Sequence, residues 1–146
     1  MRSAGTCTVR VVLDTNVLVS AAFGGVPAEA HVKALREEIV VSESIRNEWL
    51  GIIDRFSDRL NVQQATRLKS LFLGVLAVAT TVPIEKHVKV SRDRTDDEYL
   101  SLALAAHAEI LVTGDTDLLD LGVKTLAAAG LSRLRILTPR NYLDRA

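Results

Sequence analysis

Four carboxylates, Asp14, Glu48, Asp96 and Asp115, fall where an α/β chain gathers its ligands. Asp14 directly follows Val9 to Leu13, an apolar, β-branched run that suits a strand buried on both faces. Asp115 comes two residues after a similar run, Ile110 to Thr113, which Gly114 closes. Asp96 sits in the first turn of a helix that follows a strand. Glu48 lies about two turns into the helix after the second strand, where a long side chain can reach back. In open parallel sheets, ligands gather outside the carboxyl ends of the strands, so these acids are expected at one edge. Acids so placed repel one another unless a cation sits between them. Hard divalent cations such as Mg²⁺ choose oxygen ligands and keep several waters. One of those waters can be activated, and the ion can stabilise charge developing on a phosphate. The constellation points to metal-assisted phosphoryl chemistry, with Asp117 as a further ligand.

Each acid taken singly has an ordinary structural role. An Asp after a strand forms turns, acids at a helix start complement its dipole, and Glu48 beside Trp49 reads as a solvated helix residue. Their appearance after successive strands is what makes the set harder to dismiss. His31, His87 and His107 are scattered without metal-ligand spacing and are read as surface or partly buried residues. Gly24-Gly25 is no phosphate loop, because no GxxxxGK[ST] accompanies it. Cys7 is the lone cysteine, which excludes an internal disulfide or thiolate cluster and leads us to expect a reduced, cytoplasmic protein.

The elements that must position the acids follow from periodicity. Asn16 to Phe23 reads as a short helix ended by Gly24-Gly25-Val26-Pro27, and Ala28 to Arg36 as a second helix. Ile39 to Val41 is a short strand, with Ser42 placed to cap the next helix. Ile45, Trp49, Ile52 and Ile53 mark that helix's buried face; Val62, Ala65, Leu68, Leu71 and Phe72 repeat the pattern. Val75 to Val82 holds the third strand or its approach. Thr95-Asp96-Asp97-Glu98 fits a capping box, followed by the stripe Leu100, Ala103 and Leu104. Leu134 to Leu137 is the last strand, and Thr138-Pro139 opens a terminal helix. Strands alternating with helices predict an α/β domain around a parallel sheet.

At 146 residues the chain fits one domain, 1–146, without repeat or linker. Aromatics are only 4%, so the core is expected to be built from Leu, Val, Ile and Ala. Eighteen basic and eighteen acidic side chains cancel, which argues against holding nucleic acid by bulk charge but leaves room for local patches. Arg10 and Asp14 interrupt the first apolar run, so no signal peptide is expected. The stretch from Leu71 to Ile84 is too short to span a bilayer and contains Thr80, Thr81 and Pro83.

Several segments resemble the PIN-domain family, particularly its branch of toxin components of toxin–antitoxin pairs. Val11-Val12-Leu13-Asp14-Thr15-Asn16-Val17-Leu18-Val19-Ser20 is similar to that family's opening strand and Asp-Thr-Asn. Ser42 through Leu50 resembles the helix carrying its second acid, which puts Glu48 on that position. Arg92 through Leu100 looks like the branch's Arg-Asp-Pro-Asp-Asp-x-x-Phe-Leu, with Arg94 where Pro is usual. Leu111-Val112-Thr113-Gly114-Asp115-Thr116-Asp117-Leu118-Leu119 is close to its Val-Thr-Gly-Asp-x-Asp-Leu-Leu, and Ile136-Leu137-Thr138-Pro139 also fits. The resemblance covers nearly the whole chain. It implies a Rossmann-like three-layer α/β/α sandwich with a mainly parallel sheet of about five strands. It also implies one or two Mg²⁺ or Mn²⁺ ions, cleavage of single-stranded RNA, homodimers or higher homo-oligomers, and a small antitoxin partner, with no membrane involved. Asp14, Asp96, Asp115 and Asp117 would be metal ligands, Glu48 would position the metal or take a proton, and Thr15, Asn16 and Ser20 would support Asp14. The branch pattern places the third acid at Asp96; counting back from Val112-Thr113 gives Asp97, and Asp96 is preferred.

Three functions are open on this reading. The leading one is a metal-dependent endoribonuclease, with substrate approach over Lys124, Arg133, Arg135, Arg140 and Arg145, a patch that reads equally well as a solvated face. The second is a catalytically weak or inactive module that binds RNA or a protein partner; the presence of all four acids disfavours it. The third, a phosphoryl-accepting signalling domain, needs a lone Asp at the end of the third strand and a Lys after the fifth. Arg140 stands there instead.

Overall fold

Val11, Val12 and Leu13 are at most 1% exposed, and they form the middle of a five-stranded sheet ordered β3-β2-β1-β4-β5. The structure is a computed structural model that describes residues 8–145; Cys7 lies outside them. In chain order the elements are β1 (Arg10–Leu13), α1 (Thr15–Ala21), α2 (Gly25–Ala34), β2 (Glu38–Val41), α3 (Glu43–Ser57), α4 (Val62–Val78) and β3 (Thr80–Thr81). They continue with α5 (Arg94–Ala106), β4 (Ile110–Val112), α6 (Thr116–Leu119), α7 (Val123–Ala128), β5 (Arg135–Leu137) and α8 (Pro139–Asp144). All four strand pairings are parallel. Strands with helices packed on both faces have no polar side to show, which is why β1, β2 and β4 read as continuous apolar runs.

The strand order reverses direction once. β1, β2 and β3 step one way, and β4 and β5 then continue from the other side of β1. Right-handed crossovers therefore put α1–α4 on one face and α5–α7 on the other. The packing of α1 on α2 and α4, and of α3 on α4, agrees. α8 returns to α2, where the Lys33 ammonium lies 4.5 Å over the Tyr142 ring. This is the expected three-layer α/β/α sandwich, and its sheet is wholly parallel. The reversal between β1 and β4 is the crevice where such sheets bind ligands, and Leu13 pairs with Val112 there.

Local expectations change in four places. Val75 and Leu76 extend the buried face begun by Leu68 and Phe72, so α4 runs to Val78 and leaves only Thr80–Thr81 as strand. Asp93, not Thr95, caps α5: its carboxylate accepts from the Thr95 amide at 2.8 Å, and Glu98 instead accepts from the Ser44 hydroxyl. α2 begins at Gly25, with Pro27 inside a first turn whose amides need no helical partner. Two short helices, α6 and α7, stand between Gly114 and Leu134, where none was expected. The caps at Ser42 and Thr138 form as read.

The few aromatics matter more than their number implied. Trp49, Phe72, Tyr99 and Tyr142 are at most 1% exposed and are the largest buried side chains, set among the aliphatics. Trp49 meets Phe72 edge-on at 5.5 Å, joining α3 to α4. No helix among the described residues is long and apolar enough to cross a membrane.

Candidate metal centre

Parallel pairing of β1 with β4 brings the two chain ends after these strands side by side. The Asp14 amide donates to the Val112 carbonyl at 3.0 Å, continuing the ladder one residue past β1. Thr113, fully buried, then serves both acids. Its hydroxyl donates to Asp14 Oδ2 at 2.7 Å and accepts from the Asp115 amide at 3.0 Å. Asp14 and Asp115 also cap α1 and α6, accepting from the Asn16 amide at 3.2 Å and the Asp117 amide at 2.8 Å. The ordinary capping role of each acid is thus real, and it coexists with convergence on one edge.

Asp96, Asp115 and Asp117 come closest together. One carboxylate oxygen from each lies within 4.8 Å of the others. α6 presents Asp117 two residues after its cap; α5, crossing from the far side of the sheet, presents Asp96 in its first turn. Asp96 is 3% exposed. Burial, followed by a hydrogen bond to Asp115 and that group's charge, pushes its carboxyl up to about 7 from 3.8. Carboxyl groups this close need a proton or a cation between them to balance their charge. The donor set is all oxygen, which fits a hard divalent ion. These three residues could hold a metal.

Glu48 stands on the other side of Asp14 rather than in the trio. Burial, and then the charge of Asp14, raise its pKa; Arg55 opposes them. Asp14, Asn16, Glu48, Arg55, Arg59 and Phe56 line a cleft of about 410 Å³ between α1 and α3. Beneath it Thr15, Tyr99 and Trp49 form a buried knot. The Thr15 amide donates to the Tyr99 hydroxyl at 3.0 Å, the Thr15 and Tyr99 hydroxyls bond each other, and Trp49 Nε1 donates to Thr15 Oγ1 at 2.9 Å. Each member is a near neighbour of an acid: Thr15 follows Asp14, Trp49 follows Glu48, and Tyr99 lies one turn after Asp96. The knot fixes α1, α3 and α5 relative to one another.

Asp97 turns away from the trio. Its Oδ1 accepts from the Val90 and Ser91 amides at 3.0 and 2.9 Å, and Ser91 in turn donates to Asp96 Oδ2 at 3.3 Å. Of the two adjacent acids, Asp96 is the one that faces the site. Asn16 and Ser20 are exposed on α1, and only Asn16 borders the cleft. Thr113 and Tyr99 were not read as site residues. The available signals were a polar residue ending the apolar run before Gly114, and a hydroxyl where the resembling pattern has Phe. The C-terminal basic residues do not form one patch: Lys124 belongs to α7 beside α5, whereas the Arg145 carbonyl accepts from Lys33 of α2 on the opposite face.

No curated protein matches the chain. The sequence model of the PIN domain matches residues 10–117, from β1 into α6, and so includes Asp14, Glu48, Asp96, Asp115 and Asp117; the chain belongs to the PIN-domain family.

Proposed function

We propose that this protein is a metal-dependent endoribonuclease that cleaves single-stranded RNA. The convergence of Asp96, Asp115 and Asp117 within 4.8 Å is the observation that carries the reading. Membership of the PIN-domain family supports nuclease chemistry at that place. Asp96, Asp115 and Asp117 would hold Mg²⁺ or Mn²⁺, with Asp14 completing the set from across the Thr113 hydroxyl. A bound ion of this kind supplies an activated water and neutralises charge developing on the phosphate.

The chain's own groups do the rest. Glu48, raised by burial and Asp14, accepts a proton from the attacking water more readily than an ordinary carboxylate would. Arg55 and Arg59 on the cleft wall hold substrate phosphate against the acids. Thr113 keeps Asp14 and Asp115 at a constant spacing, and the Thr15–Tyr99–Trp49 knot ties together the helices that carry Glu48 and Asp96, which flank Asp14.

The segments that resemble toxins extend the reading. It takes 1–146 as a single domain, a homodimeric cytoplasmic toxin whose small antitoxin partner covers the cleft. The test is cleavage of a mixed single-stranded RNA pool in Mg²⁺ or Mn²⁺, with EDTA as control. Cleavage should require metal and vanish in Asp115→Asn. Expression of the wild type, but not of Asp115→Asn, should arrest growth. Cleavage that survives EDTA or the substitution would end the metal-site reading; cleavage without growth arrest would end only the toxin role.

A further inference from the structure

Two segments lead away from the acid cluster, and the space between them is lined with unpaired positive charge. One runs backward from Asp96 through Ser91 to Lys86. It is held along α5 by the Val88 amide on Ser101 Oγ at 2.8 Å and by the two amides on Asp97. The other runs forward from Asp117 through α6 into α7. They enclose a cavity of about 570 Å³ lined by Lys86, Lys89 and Lys124, with Val90 and Ala128 among its apolar walls. Lys124 is separated by 35 residues from Lys89, so only the packing of α7 beside the 86–90 segment assembles the group.

Among the described residues no acid lines this cavity. The nearby carboxylates are engaged: Asp93 caps α5, Asp97 holds the Val90 and Ser91 amides, and Glu98 accepts from Ser44. Glu85 borders a neighbouring hollow that Lys86 also lines, and Asp97 and Glu98 border another that Lys89 lines. Among the described residues none of the three lysines is in a salt bridge. The three exposed lysines give the cavity a positive rim that suits an anion, and a single phosphate would leave much of 570 Å³ empty. A flexible chain of phosphates with apolar sugar and base faces matches both the lysines and the walls.

We infer that Lys86, Lys89 and Lys124 form a binding site for the backbone of single-stranded RNA outside the scissile position. The inference rests on the nuclease reading for its choice of polyanion. A strand with one phosphate at the acids continues between the two diverging segments into this cavity. Its phosphates replace the missing counter-charges, and the valine and alanine walls take the less polar faces.

The test uses the full chain in EDTA, where cleavage plays no part, and a fluorescein-labelled mixed-sequence single-stranded RNA titrated at several salt concentrations. Replacing all three lysines with Ala should weaken binding about tenfold or more and lower the slope of log affinity against log salt by about 2, since each single-strand phosphate contact contributes about 0.7. Lys→Arg at the same positions should restore both. In Mg²⁺ the triple Ala variant should show a raised KM with kcat kept. Unchanged affinity and slope in a folded triple variant would overturn the inference, as would equal displacement of RNA by a polyglutamate peptide. RNA held through these lysines but cleaved under no divalent metal would sink the nuclease reading and leave this one standing. Cleavage with lysine-independent binding would do the reverse.

Discussion

Asp14 and Asp96 are almost equally buried, at 4% and 3% exposure, yet their charges are supported in opposite ways. Asp14 accepts a threonine hydroxyl at 2.7 Å and a backbone amide at 3.2 Å, so both of its oxygens have donors from the chain. Asp96 has the Ser91 hydroxyl at 3.3 Å, while Asp115 and Asp117 face it. One half of the site is therefore satisfied by the chain alone. The other half carries more negative charge than its surroundings balance, and a cation would supply what is missing. Burial alone does not tell whether a carboxylate's charge is met by the chain's own donors; the identity of its neighbours does.

The sharpest way to break this comparison is Asp115→Asn, which keeps the shape and the cap of α6. It should cut metal-dependent RNA cleavage by on the order of 10³-fold or more, and adding Asp96→Asn should cost little further, because residues acting as a unit lose function together. The same substitution should raise the melting temperature of the metal-free protein, since it removes a like charge beside Asp96. Asp14→Ala should lower both cleavage and melting temperature, leaving the buried Thr113 hydroxyl without its acceptor. Equal stability changes at the two positions, read by thermal melts in EDTA, would erase the distinction.

A smaller effect tests the support beneath both halves. Tyr99→Phe removes one hydroxyl and leaves the buried Thr15 amide unpaired, at a cost of about 1–3 kcal/mol. Urea denaturation measures that loss, and Mg²⁺-induced stabilisation should persist because no carboxylate is touched. An undiminished midpoint would mean that the knot contributes nothing to the fold.

The pH dependence has a defined sign. The Asp96 carboxyl, raised to about 7 on folding from an ordinary 3.8, keeps its proton in the native state where the unfolded chain has lost it. The native state thus binds more protons in that interval, so this contribution is full below 3.8 and lost as pH rises to about 7. Denaturation midpoints in EDTA should fall across that window, and Asp96→Asn should flatten the trend. Smallest of all is Asp120→Asn, an exposed position outside the trio. It should change stability by less than about 0.5 kcal/mol and leave cleavage intact.

Much of this is legible in the sequence. Continuous apolar runs at Val9–Leu13 and Ile110–Thr113 can be satisfied only between two layers of helices, so the fold class followed from composition and alternation. Asp14 and Asp115 were legible because a strand end in a parallel sheet has a known destination. Asp96, three residues after the helix cap at Asp93, lies with Asp115 and Asp117, while Asp97 holds the Val90 and Ser91 amides. Boundaries were less legible: Val75 and Leu76 serve a helix as readily as a strand, and only the continuing stripe from Leu68 and Phe72 decides between them.

What the chain's order of residues determined by itself was periodicity and local capping, since both depend on neighbours within a turn or two. Which acids share space was decided only by folding. Asp117 joins Asp96 across 21 positions of sequence, while Glu48 is left on the far side of Asp14. The Thr15–Tyr99–Trp49 knot and the Lys86–Lys89–Lys124 cavity likewise join residues from separate elements. Hydrogen bonds and charge interactions act over a few ångströms, and a one-dimensional sequence holds no record of distance until the crossovers bring the layers together.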